Sequence, residues 1–95
     1  VNLDEFYRAT ATLNRKFTLL LAKEDHFVPV NQLTKTKGAL FLASIAKSKS
    51  GTATITLDQF LTRTRALPPQ TNLRTLTNRQ LVFGFRIVNK SIVFY

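Results

Sequence analysis

Apolar positions near the start of the chain recur at helical spacing. Leu3, Phe6, Tyr7, Leu13, Phe17, Leu20 and Leu21 follow at three- and four-residue steps, which places them on one face of a long helix. Asn2 stands at the capping position and Glu5 completes a capping box. Asp25-His26 ends the helix, and Pro29 biases Val28 toward extended backbone in Phe27-Val28-Pro29-Val30. A second helix runs from Thr34 or Thr36 to about Lys47, with Leu40, Phe41, Ile45 and Ala46 inward.

Thr52-Ala53-Thr54-Ile55-Thr56 reads as a short strand. Thr56-Leu57-Asp58-Gln59 has capping-box spacing, and Leu57, Phe60, Leu61 and Thr64 continue a helix over residues 57–66 that Pro68-Pro69 stops. Another helix covers residues 72–80, with Leu73 and Leu76 inward and Arg74, Thr75, Asn78 and Arg79 outward. Residues 81–95 alternate as two strands joined at Asn89-Lys90, with Phe83, Phe85 and Ile87 on one face and Arg86 on the other. Nothing repeats convincingly along the chain. The expected class is α+β, a helical core closed by a C-terminal β-hairpin.

Charge divides the chain. Residues 1–33 hold Arg8, Arg15, Lys16 and Lys23 against Asp4, Glu5, Glu24 and Asp25 and are neutral. Residues 34–95 hold ten Lys or Arg against Asp58 alone, so the whole net charge of +9 lies there. The expected organisation is an amphipathic helix and extended linker over 1–33, and a basic domain over 34–95. The concentration of charge points to an anionic partner.

From residue 34 onward the order is helix, strand, helix, Pro-Pro turn, helix, strand, turn, strand. That order, carried by Thr56-Leu57-Asp58-Gln59-Phe60-Leu61 and residues 81–95, resembles the winged helix-turn-helix family. The resemblance implies a winged-helix-like fold, residues 57–66 as the supporting helix, 72–80 as the helix entering a major groove, and Asn89-Lys90 as the wing tip. The loop Leu67-Pro68-Pro69-Gln70-Thr71 is longer than that family's tight turn.

Under this reading DNA is the expected partner. Arg74, Arg79, Thr75 and Asn78 are the candidates for base and phosphate contact, since Arg and Asn pair bidentately with guanine and adenine edges. Arg63 and Arg65 clamp backbone, Arg86 and Lys90 serve the wing, and Lys35, Lys37, Lys47 and Lys49 supply diffuse phosphate contacts. Two other classes stay open. One is a protein-interaction module meeting an acidic protein. The other is RNA or single-stranded binding on Phe83, Phe85 and Phe94; there the shared face with Ile87 favours the core. The apolar stripe of residues 3–21 is also a candidate homo-oligomer surface, which suits a dimeric DNA reader.

Catalysis has little material. His26 follows Glu24-Asp25, but adjacent residues rarely present all three side chains to one ion, and the chain has no second His and no Cys. Asp58 reads as a helix first-turn carboxylate. No metal, cofactor or catalytic residue is assigned, and an enzyme is disfavoured. No apolar run reaches the roughly 20 residues needed to span a membrane. The start lacks a basic region of the signal-peptide kind, so an intracellular setting (cytoplasm, nucleoid or nucleus) is expected. The chain begins without Met and stops inside an apparent strand, the pattern of a processed chain or of a domain from a longer protein.

Overall fold

Two short helices carry the most local of the sequence signals. In the computed structural model, which describes residues 1–23, 26–44, 54–75 and 81–95, α1 spans Leu3–Thr10 and α2 spans Leu57–Thr64. The Asn2 side chain accepts from Glu5 N–H at 2.8 Å, and Glu5 Oε1 accepts from Asn2 N–H at 2.9 Å. Thr56 and Gln59 repeat the exchange at 3.2 and 3.0 Å. Each box satisfies two amides that a helix start leaves orphaned. Both helices finish on a buried threonine: Thr10 and Thr64 donate their hydroxyls to the carbonyls of Phe6 and Phe60, each at 2.8 Å.

The remaining described elements are strands: β1 Thr18–Lys23, β2 His26–Pro29, β3 Gln32–Thr36, β4 Ala39–Ala43, β5 Asn72–Thr75, β6 Phe85–Val88 and β7 Ser91–Phe94. They form a four-stranded sheet ordered β2-β1-β7-β6 and a three-stranded sheet ordered β3-β4-β5. The expected helical core is therefore overturned: the described residues form a mostly-β architecture with two short helices. The expected long first helix stops at Thr10. Leu19 and Leu21 are buried, Leu20 is half-buried, and all three lie in β1. Residues 34–43 of the expected second helix lie in the β3–β4 hairpin, which turns at Lys37-Gly38, and its residues 45–47, Ile45 and Ala46 among them, lie outside the described ones. The expected groove-entering helix is β5 over its first four residues, and its residues 76–80 lie outside the described ones. With that helix replaced, the winged-helix-like arrangement is corrected as well. The C-terminal hairpin is present, as β6 and β7 pairing antiparallel around Asn89-Lys90.

The two sheets are built from two copies of one unit, which corrects the reading that nothing repeats. A shift of 54 residues carries Leu3 onto Leu57, and the hydrogen bonds follow. Leu3 N–H donates to Thr71 C=O as Leu57 N–H donates to Phe17 C=O. Asp4 N–H donates to Pro69 C=O as Asp58 N–H does to Arg15 C=O. The bridge Asn2–Asn72 is answered by Thr56–Thr18. From the end of β2 the shift is 52 residues (Pro29 onto Leu81, Val30 onto Val82): the pairing of Ala39 with Asn72 and Leu40 with Leu73 becomes that of Ser91 with Thr18 and Ile92 with Leu19. Even the lone bridge Arg74–Leu81 repeats Leu20–Pro29.

The halves are interlocked rather than side by side. The first half's hairpin β3–β4 joins the second half through β4, which pairs parallel with β5, and the second half's hairpin β6–β7 joins the first through β7, which pairs parallel with β1. Their core is common. Leu3, Phe6, Leu19, Val30, Leu40 and Leu42 are buried with Leu57, Phe60, Leu73, Val82, Ile92 and Phe94, the latter residues largely the second-half equivalents of the former. Burying twelve such side chains together offsets the cost of ordering so many non-local strand pairs. The stripe on residues 3–21 is thereby spent: Leu3 and Phe6 are fully buried, and Tyr7, Leu13 and Phe17 pack against the same core.

Candidate nucleic-acid interface

The topology brings the turns of the β3–β4 and β6–β7 hairpins to the helix-bearing end of the fold. β1 starts at Thr18, whose N–H donates to Lys90 C=O at 3.2 Å and which bridges Thr56, the cap of α2. The second turn, Asn89-Lys90, is therefore tied to the start of α2. Symmetrically, β5 starts at Asn72, whose N–H donates to Gly38 C=O at 3.2 Å and which bridges Asn2, the cap of α1. The helices join each other through Tyr7, whose single hydroxyl proton is shared between Thr64 Oγ1 and Thr64 C=O, the Thr64 proton being given to Phe60 C=O. Thr18 Oγ1 and Ser91 Oγ, 2.7 Å apart, pin the second turn further.

The turns place their left-handed residue differently, second in Lys37-Gly38 and first in Asn89-Lys90. Gly38 has φ +79°, whereas in the other hairpin the left-handed residue is Asn89, φ 55°. Glycine and asparagine are the residues that enter this region most readily, so each turn carries its own local determinant. Both leave a lysine exposed beside it, Lys37 and Lys90.

This end is rich in exposed cations. Lys35 lies near the end of β3, Lys37 and Lys90 occupy the turns, and Arg63 and Arg65 stand in the last turn of α2 and at its C-cap. Arg15 and Lys16, which belong to the neutral stretch of the sequence, precede β1 and lie next to Lys90 through the Thr18 contact. The acids described here are all engaged at helix starts. Glu5 serves its capping box, Asp4 pairs with Arg8 at 3.2 Å, and Asp58 pairs with Arg15 at 3.2 Å. Those carboxylates also favour the positive ends of the helix dipoles, and among the described residues no ion pair involves Lys37 or Lys90.

The other expected contact residues are dispersed. Arg74 pairs with Phe41 on β4, and Thr75 pairs with Leu42. Consecutive strand residues point to opposite faces, so Arg74 and Thr75 do not share the surface that a helix would have given them. Both are half-buried and engaged in contacts. Arg86, exposed, faces outward beside Val93 at mid-strand. Asn78, Arg79, Lys47 and Lys49 lie outside the described residues. Phe94 is fully buried and Phe85 packs against Phe6 and Phe94, with ring centroids 5.0 and 6.1 Å away. Phe83, expected in the core, is instead 76% exposed, because the strand begins only at Phe85.

A cleft of about 260 Å³ between the helices is lined by Tyr7, Thr10, Ala11, Leu13, Arg15, Leu57 and Leu61. Its polar groups are already used: Tyr7 by Thr64, Thr10 by the Phe6 carbonyl, Arg15 by Asp58. It offers no convergent pair of acid and base for catalysis. No helix among the described residues is long and apolar enough to cross a membrane. No family model matches the chain, and no curated protein or solved structure matches it either.

Proposed function

We propose that this chain is a non-catalytic nucleic-acid-binding domain that seats the sugar–phosphate backbone of duplex DNA on its helix-bearing end. The observation that carries the reading is the convergence of two lysine-tipped hairpin turns, one from each half, on either side of a helix pair whose acids are engaged locally. Phosphates of a duplex lie along two backbones, and a pseudo-symmetric pair of basic tips suits contact with both. Lys37 and Lys90 are the primary contacts. Lys16, Lys35, Arg63 and Arg65 add to the field between and beside them, while Arg86 lies farther along the sheet.

Contact of this kind positions the protein on the duplex without reading base sequence. Affinity then falls steeply with salt, because each neutralised phosphate releases a counterion. Titration with a duplex at two salt concentrations tests the proposal: binding at low salt that weakens on salt addition is expected. No binding at low salt would refute it.

A further inference from the structure

We infer that the open edge of β6 is a docking site for an extended acidic segment of a partner protein, which adds to the four-stranded sheet as a further strand. The inference goes beyond the nucleic-acid reading and does not rest on it. Four strands end the two sheets, β2 and β6 in one and β3 and β5 in the other. β5 is covered, because Arg74 bridges Leu81 and Val82 N–H donates to Leu73 C=O at 2.8 Å. β2 includes Pro29, which has no N–H to give an added strand. β3 carries the exposed Lys35, paired with the buried Leu40. A lysine at the core rim of an edge strand deters further pairing.

β6 has neither device. At the position equivalent to Lys35 it carries Ile87, which pairs with the buried Ile92 as Lys35 pairs with Leu40. Ile87 therefore belongs to the core face, yet it is 43% exposed. The backbone is open as well. Gly84 and Tyr95 exchange hydrogen bonds of 3.3 and 3.1 Å, and such bonded pairs alternate with unbonded ones along an antiparallel ladder. Arg86 and Val88 thus bond to β7, while the N–H and C=O groups of Phe85 and Ile87 point away from it. Among the described residues, no backbone hydrogen bond outside the ladder involves either one.

Charge selects the occupant. Arg86 lies between those two residues on the opposite face, exposed, and among the described residues no ion pair involves it. A second copy of the chain does not suit this edge. The antiparallel register that uses Phe85 and Ile87 of both copies sets Arg86 directly against its counterpart, and like charges so placed are destabilising. A partner strand with Asp or Glu opposite Arg86 pairs the guanidinium on one face. Apolar residues on either side of that acid cover Ile87 on the other. The free backbone groups then supply affinity, and the alternating side chains supply specificity.

The test uses the full chain and a short capped peptide of alternating valine and glutamate, with a valine–lysine peptide as control. The glutamate peptide should bind and slow hydrogen exchange at the Phe85 and Ile87 amides, while the Arg86 amide, already bonded to β7, changes little. Ile87→Lys, which copies the β3 edge, should keep the fold and weaken binding about tenfold. Arg86→Glu should transfer the preference to the lysine peptide. Failure of the glutamate peptide to bind wild type, equal binding of both peptides, or unprotected Phe85 and Ile87 amides at saturation overturns the site. Self-association of the wild type that Ile87→Lys abolishes would assign the edge to a second copy and overturn the acidic partner. The duplex titration is a separate readout, since it depends on Lys37 and Lys90.

Discussion

Phe6 and Phe60 meet edge to face in the core, their ring centroids 5.1 Å apart at 71°, and they occupy the same position in the two halves of the chain. Each sits four residues after its helix cap, so each helix drives one ring into the shared interior. The contact joins two units whose strands are already exchanged, and it lies where neither half could make a core alone.

The symmetry is imperfect in a testable way. Phe6 also touches Phe85 and Phe94, at 5.0 and 5.4 Å, whereas the aromatic neighbour of Phe60 is Phe6. Phe6→Ala and Phe60→Ala should each cost about 3–5 kcal/mol, with Phe6→Ala the larger. Urea unfolding of both variants checks the order, and a double-mutant cycle should return about 0.5–1.5 kcal/mol of coupling.

The capping boxes lead to a second expectation. Asn2→Ala and Thr56→Ala should each destabilise by about 1 kcal/mol. Thermal unfolding that shows no change for either would contradict the local account of the helix starts. By contrast, the exposed Arg15–Asp58 pair has side chains 68% and 57% accessible, and Arg15→Ala should change stability by at most about 1 kcal/mol.

The glycines separate two physical roles. Nothing stands within 4 Å of a Cβ at Gly38, yet its φ is +79°. Gly38→Ala should therefore cost about 1–2 kcal/mol through backbone strain alone. Gly84 has no such conformation; an added methyl meets the far end of the Tyr95 side chain at 3.1 Å. Gly84→Ala should displace that ring with a smaller stability loss, seen as a changed Tyr95 environment in NMR or fluorescence.

For the lysine-tipped turns, the double variant Lys37→Gln, Lys90→Gln should retain the fold and bind duplex DNA more weakly. The slope of log affinity against log salt should become shallower by about 0.9 for each phosphate that is no longer neutralised. An unchanged slope would show that the turns do not meet the backbone.

Much of the local structure is legible in the sequence. Asn2–Glu5 and Thr56–Gln59 announce helix starts because a cap and its return partner lie within one turn. The terminal hairpin is readable because its strands are neighbours in sequence. The excess of charge is visible too, but its placement is not. Arg15 and Lys16 belong to a neutral stretch and lie beside Lys90 only because β1 and β7 pair.

The departures from the sequence reading share one cause. Leu19-Leu20-Leu21 and Leu40-Phe41-Leu42 are short apolar runs, and Leu73 is a lone apolar residue among polar ones, all of which helix and strand spacing both admit. For residues 39–43 the two-residue Lys37-Gly38 turn is a hairpin signal, outweighed by the apparent helical face. For residues 72–75 no local cue exists, since the partner is β4, more than thirty residues earlier. The repeat is present in Leu3-Asp4-Glu5-Phe6 and Leu57-Asp58-Gln59-Phe60, with Thr10 and Thr64, Leu13 and Leu67, and Leu19 and Leu73 in step. It is faint because equivalent surface positions differ, as Arg63 and Arg65 against Ala9 and Ala11 show.

The sequence by itself determined the two helix caps, the terminal hairpin and the excess of positive charge, because each depends on residues a few positions apart or on a simple total. Only the tertiary structure decided that β1 and β5 are strands, that the two halves exchange hairpins, and that both basic turns meet at one end while Tyr95 lies exposed at the other. Those outcomes depend on parallel pairings between distant segments, whose hydrogen bonds and shared core exist only once the whole chain has closed on itself.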